Sequence, residues 1–157
     1  SPITFLPYLS GERTPHNAPN ATGAFHGLRR DHTLPEMVQA IMEGVGCAFA
    51  DCCVALDAAN SLPQTISVAG GGSQSATWLQ MIADITGLVL QTPNSGSQGA
   101  ALGAARLAIL ASNAGTAEDV LRKTCTDKRF EPNLAMQPLY AELLNEYRNL
   151  ALQAGHR

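Results

Sequence analysis

The sequence predicts an α/β domain, and three observations carry that prediction. The run Thr65-Ile66-Ser67-Val68-Ala69 reads as a buried strand, and at Gly70-Gly71-Gly72 it gives way to helical spacing at Trp78, Leu79, Ile82 and Ile85. A second unit repeats the order: residues 88–92 read as a strand, residues 94–99 as a glycine- and amide-rich turn, and a small-residue helix, expected to pack very close to its neighbours, follows through Ala100, Ala101, Gly103, Ala104 and Ala105. Strand, turn and helix in this alternation imply parallel strands joined by right-handed crossovers, and ligands of such sheets bind outside the strands' carboxyl ends. The third observation is length, since 157 residues suit a single domain, residues 1–157, with one core.

Taken in order, residues 3–9 (Ile-Thr-Phe-Leu-Pro-Tyr-Leu) form the first expected strand, with Pro7 marking an edge or an irregular end. Residues 10–27 are dense in turn formers and read as one long loop, a type that is usually functional or disordered. Within it Glu12 and Arg13 are adjacent, opposite in charge and close to Pro15, which fits either a solvated pair or a brace beside a cleft. Thr33-Leu34-Pro35-Glu36 is a capping box that opens a helix running to about residue 59. Val38, Ile41, Met42, Val45, Phe49, Cys52 and Leu56 follow helical spacing there, so this stripe is expected to be core. Gly44 and Gly46 each cost a helix about 1 kcal/mol relative to Ala, which suggests close approach of another backbone or a ligand. Gly87 ends the next helix, Thr116 starts a short one, and a final helix over residues 134–153 buries Tyr140, Leu143, Tyr147 and Leu150 against the outside of the sheet.

Composition excludes several classes of partner. A net charge of −3 with two lysines, Lys123 and Lys128, leaves no basic footprint for nucleic acid. No apolar run approaches the roughly 20 residues of a membrane span, and the start of the chain lacks a signal peptide's basic and apolar regions, so a soluble, cytoplasmic protein is expected. Cys47, Cys52, Cys53 and Cys125 form no CxxC pair and fit a reducing compartment, while His16, His26, His32 and His156 lack metal-ligand spacing.

The chemistry concentrates at the three glycines. Residues without Cβ let backbone amides approach a bound group, and the amides that open a helix favour negative charge, so phosphate is the natural occupant. The same spacing also fits a turn that only reverses the chain. A Walker A loop is excluded because Gly72 is followed by Ser73 and Gln74 in place of Lys and Ser or Thr. A dinucleotide-binding oxidoreductase domain is disfavoured, because Ser75 stands where a third glycine belongs and no carboxylate follows the next strand. No Ser/His/Asp or Cys/His triad can be assembled by position.

The segment Phe5-Leu6-Pro7-Tyr8-Leu9-Ser10-Gly11-Glu12-Arg13-Thr14-Pro15, followed by Gly-Ala-Phe-His-Gly-Leu, resembles the C-terminal half of the xylulokinase-type carbohydrate kinases. Glu43-Gly44-Val45, Gly70-Gly71-Gly72 with Ser75 and Trp78, Ala83-Asp84-Ile85-Thr86-Gly87 and Gly99-Ala100-Ala101-Leu102-Gly103-Ala104-Ala105 continue the resemblance in the same order over nearly the whole chain. Such kinases have two actin-like ATPase (ribonuclease H-like) domains with ATP and sugar in the cleft between them. The resemblance therefore implies the C-terminal, ATP-side domain of a sugar kinase, truncated at its N-terminal strands. It implies Mg-ATP as cofactor, a ketopentose such as xylulose as acceptor, an N-terminal kinase domain as partner, and a homo-oligomer. Gly70, Gly71 and Gly72 would line the adenosine and α-phosphate, with Gln74 and Ser75 near the adenine. Position 74 is often Arg in such kinases and is Gln here, and an acidic residue common near position 97 is Ser here. The sugar-activating aspartate would lie outside this segment, so no catalytic residue is assigned within it and the isolated chain is expected to be inactive. The alternative is a non-catalytic nucleotide-binding or assembly module of the same fold.

Overall fold

The computed structural model describes residues 2–94, 99–121 and 125–155. Strand β1 (Thr4–Leu6) pairs antiparallel with β2 (Ala24–His26), placing Phe5 opposite Phe25 with ring centroids 4.7 Å apart. The expected first strand is thus confined to three residues, because Pro7 removes a donor and Leu9 then bonds back to the Pro7 carbonyl at 2.8 Å. Strand β2 corrects the reading of residues 10–27 as one unbroken loop. Its three residues are too few to show a period.

Helix α1 (Leu34–Ala58) starts as expected: the Thr33 amide and hydroxyl both donate to Glu36 Oε2, each at 2.7 Å. Its buried face is another matter. Ala40, Glu43, Gly44, Gly46, Cys47, Ala50 and Asp51 are buried, whereas Val38, Ile41, Phe49 and Leu56 are 39–48% exposed. The expected core stripe therefore lies largely outward, and the inward face is made of small residues because neighbours approach so closely. A Cβ at Gly44 would strike the Phe5 carbonyl oxygen, and one at Gly46 would come within 2.6 Å of Ile85 Cδ1. By length and composition α1 could cross a membrane, which corrects the expectation of no such run. Its packing on β1, α2 and α5, with Glu43 and Asp51 on the packed face, is that of a central helix.

The glycine contacts give a test. Gly to Ala inside a helix ordinarily gains about 1 kcal/mol, but at Gly44 the obstacle is backbone, and overpacking of this kind costs about 1–3 kcal/mol. Gly44→Ala should lower stability by at least about 1 kcal/mol in urea denaturation. Gly46→Ala, meeting only the tip of Ile85, should be near neutral. Equal effects at both positions would contradict the close-approach account.

A second sheet has the order β3-β4-β5. Strands β3 (Thr65–Ser67) and β4 (Val89–Pro93) are parallel and joined through α2 (Ala76–Thr86), the expected β-α-β unit. Leu79, Ile82 and Ala83 of α2 pack on Leu90 and Phe130, and Gly87 closes the helix at φ 70°. Strand β3 is only half-buried, which corrects its reading as a buried strand: among the described residues it pairs with β4 alone. Strand β5 (Thr126–Phe130) adds antiparallel to β4; its sequence Thr-Asp-Lys-Arg-Phe has no apolar alternation and announces no strand.

Helix α3 (Gly99–Ala111) holds no buried residue among those described, with Leu107 67% exposed, so the expected close packing of this small-residue helix is not found. Of the second glycine turn, residues 95–98 lie outside the described residues. Helix α4 (Ala117–Val120) is capped by Thr116 as expected. Helix α5 (Gln137–Gly155) buries Tyr140 and Tyr147, with Leu143 and Leu150 half-buried, against a core that includes Leu6, Tyr8, Cys47 and Ile85.

Tyr147 donates a buried hydrogen bond to the Tyr8 hydroxyl at 2.9 Å. Burial pushes the Tyr147 phenol far above its ordinary value of 10.0, with the Tyr8 bond adding to the shift; burial also raises Tyr8 and Tyr140, and it raises the Cys47 thiol to about 12. Folded values above unfolded ones mean stability that is complete below the unfolded value and lost as pH climbs towards the folded one. The melting temperature should therefore hold from about pH 7 to 9 and fall above about pH 10. A flat profile to about pH 12 would remove these phenols from the accounting.

Candidate functional site

The candidate site lies where β3 leaves the sheet. Val68 continues the ladder by donating to Gln91 O at 2.8 Å, and the chain then turns at Gly70, whose φ of +100° favours glycine. Gly71–Gln74 form one 3₁₀ turn, held by the Ser73 hydroxyl donating to Gly70 O at 2.7 Å. Ser75 caps α2, its Oγ accepting from the Trp78 amide at 3.3 Å. Trp78 Nε1 donates in turn to Met42 O at 3.2 Å and ties the turn to α1.

The three glycines are not equivalent. Gly70 is required by its backbone angle. A Cβ on Gly72 would come within 2.8 Å of the Trp78 ring, so its smallness serves packing. Around Gly71 a Cβ would meet nothing within 4 Å, and its φ is not in the left-handed region. The fold therefore does not demand a glycine at 71, and that position opens to space at the carboxyl edge of the parallel pair. Gln74 lines a polar cleft of about 310 Å³ with Ser73, Thr92, Pro93, Asn94, Asp127 and Lys128. The structure thus keeps Gly70, Gly71, Gly72, Gln74 and Ser75 on one turn and adds the ends of β4 and β5, which the sequence reading left out.

Asp84 has a structural assignment: its buried Oδ1 accepts from Gln80 Nε2 and from the Asn133 amide, each at 2.8 Å. Sequence reasoning missed a second cluster. Asp51, buried in the middle of α1, accepts from Arg148 Nε at 2.7 Å and lies 3.3 Å from His16 Nε2. The His16 amide donates to Glu12 Oε2 at 3.0 Å. One carboxylate so joins the 10–18 loop, α1 and α5, and Glu12 acts within the loop as a brace. No sequence signal could have shown this, because the partners stand 35 and 97 positions from Asp51.

A glycine turn inside a parallel β-α-β unit, on a domain whose central helix packs over a separate antiparallel strand pair, fits the C-terminal domain of a sugar kinase of actin-like ATPase fold. The model of the FGGY family of carbohydrate kinases, C-terminal domain, matches residues 1–112, and the chain belongs to that family. It is 51% identical to xylulose kinase of Escherichia coli K12 over 112 residues, 71% of this chain and 23% of that protein. The crystal structure of a xyloylose kinase from Brucella ovis superposes with a TM-score of 0.82 at 37% identity, covering 96% of this chain and 31% of that one. Xylulose kinase from Rhodospirillum rubrum gives 0.78 at 28% identity, covering 99% and 32%. The chain spans between about a quarter and a third of the length of these relatives.

Proposed function

We propose that this chain is the ATP-side domain of a cytoplasmic sugar kinase that transfers the γ-phosphoryl of Mg-ATP to a hydroxyl of a ketopentose, xylulose being the acceptor favoured by the relatives' names. The single observation that carries the nucleotide part is Gly71: a glycine the fold does not need, facing open space beside the amides that open α2. A phosphate or ribose placed there meets backbone N–H groups and the positive end of the helix dipole. Gly70 shapes that approach, Gly72 seats the turn on Trp78, and Gln74 and Ser75 extend it towards the base. Phosphoryl transfer depends mainly on positioning and charge neutralisation, which backbone donors can supply without many charged side chains.

Among the described residues no group of three His, Cys, Asp or Glu could hold a metal ion by itself; Mg2+ would arrive with the nucleotide, held largely by its phosphates. The acceptor's general base and the opposing N-terminal domain belong to the rest of the kinase, and the isolated chain should show no sugar-dependent turnover. Exposed Phe49 and Leu56, beside the half-open β3, support a larger assembly, because they leave an apolar groove of about 330 Å³ uncovered.

The test is Gly71→Val. No neighbour obstructs the new side chain, so the melting temperature should change little, while nucleotide affinity should fall at least about tenfold because the side chain fills the space a phosphate needs, a loss of about 1.4 kcal/mol. Titration of ATP into wild type and variant, with a thermal melt of each, decides it. Unchanged affinity in a folded variant would return the turn to a purely architectural role.

A further inference from the structure

We propose that Trp78 is the positioning residue of the nucleotide turn: it holds the backbone of residues 70–75 at a fixed distance from α1, so that the amides which meet phosphate are ordered before the ligand arrives. The inference rests on the nucleotide reading above and concerns a side chain that acts through the turn. The turn has little else to hold it. None of Gly71–Gln74 is buried. Among the described residues its hydrogen bonds close on the turn itself: Ser73 donates to Gly70 O from its amide at 3.2 Å and from its hydroxyl at 2.7 Å, and the Ser75 amide donates to Gly72 O at 3.2 Å. Such bonds fix the shape of a turn and leave its tilt against the rest of the domain free.

Trp78 supplies the tilt. Its amide donates to the capping Ser75 Oγ at 3.3 Å, its ring packs against Gly72, and its Nε1 donates at 3.2 Å to Met42 O, 36 positions away on α1. A Cβ on Gly72 would come within 2.8 Å of Cζ3 and 3.4 Å of Cε3, which lie on the edge of the indole opposite Nε1. The ring therefore spans the gap between the turn and α1, with one edge against each. An indole has one donor and no acceptor, and a mid-helix carbonyl keeps a second lone pair, so the bond has a single direction. The α1 end of that bond is itself fixed, because just beyond Met42 the helix is pressed at Gly44 on the Phe5 carbonyl and at Gly46 on Ile85. Ordering a binding segment in advance removes an entropy cost from association, and here one half-buried side chain does so.

Trp78 is the only tryptophan in the chain, so its emission reports the seat of the turn directly. ATP titrated into the 157-residue chain, with excitation at the red edge of indole absorption where adenine is transparent, should change that emission with the same midpoint that calorimetry gives. Trp78→Phe keeps an aromatic ring and removes the donor. Measured well below the melting temperature of either protein, it should weaken ATP binding about fivefold, the worth of one hydrogen bond. Gly72→Ala, which pushes the turn off the ring, should weaken binding by a similar factor. Phenylalanine lacks the atoms that the new methyl would strike, so adding Gly72→Ala to Trp78→Phe should cost no further affinity. A tryptophan that only packs the core would lower the melting temperature of these variants and leave their ATP affinity alone. With Gly71→Val still losing affinity, that result would overturn the positioning role and leave the nucleotide reading standing. Absence of ATP binding to the wild type would overturn both.

Discussion

Arg148→Ala is expected to destabilise the chain by about 3 kcal/mol, the lower end of the cost of breaking a buried ion pair. The substitution leaves Asp51 buried inside α1 with His16 as its remaining ion-pair partner among the described residues. Discounting is needed because Arg148 is 37% exposed and His16 31%, so water reaches the partners and screens them. At a chain length near 150 residues such a loss lowers the melting temperature by roughly 6–12 °C. Asp51→Ala should cost less than Arg148→Ala, since the arginine it strands can turn to solvent. The double variant should then be less damaged than the sum of the two single variants, a coupling that a double-mutant cycle measures directly. A loss below about 1 kcal/mol in Arg148→Ala would show that the cluster is a surface pair of ordinary worth. His16→Ala should act differently, loosening the 10–18 loop without threatening the core.

How much of this was legible in the sequence depends on the range of each interaction. The capping box at Thr33 and Glu36, the Gly87 cap and the β3-α2-β4 unit are local patterns, and local patterns appeared as read. The turn at Gly70–Gln74 was placed correctly, but the separate duties of its glycines needed Trp78 in three dimensions. Gly44 and Gly46 did signal close approach, though not that Phe5 and Ile85 were the neighbours. Strand β5 was missed because an edge strand with one face in water keeps polar residues, and Thr126 to Arg129 are all exposed. The Asp51 cluster and the cleft at the ends of β4 and β5 depend on tertiary pairing and leave no periodic trace.

The outward face of α1 is the clearest conflict between pattern and packing, and it yields the other large expected effect. Val38, Ile41, Phe49 and Leu56 repeat at intervals that mark a helix face selected for burial, yet each is 39–48% exposed. In the 157-residue chain Phe49→Ala should therefore cost under about 1 kcal/mol, well below the 3–5 kcal/mol of a fully buried phenylalanine. In the full-length kinase proposed above, where further strands would extend the sheet beyond β3 and cover this groove, the same substitution should cost the full 3–5 kcal/mol. Paired urea melts of the two proteins with and without Phe49→Ala measure the difference. The isolated chain should also self-associate through this face, and replacing Phe49 and Leu56 by glutamate should shift it towards monomer in sedimentation, because charge placed in a dry interface is strongly disfavoured. Equal costs in the two proteins would mean that nothing covers the face, and the stripe would then need an explanation other than an incomplete core.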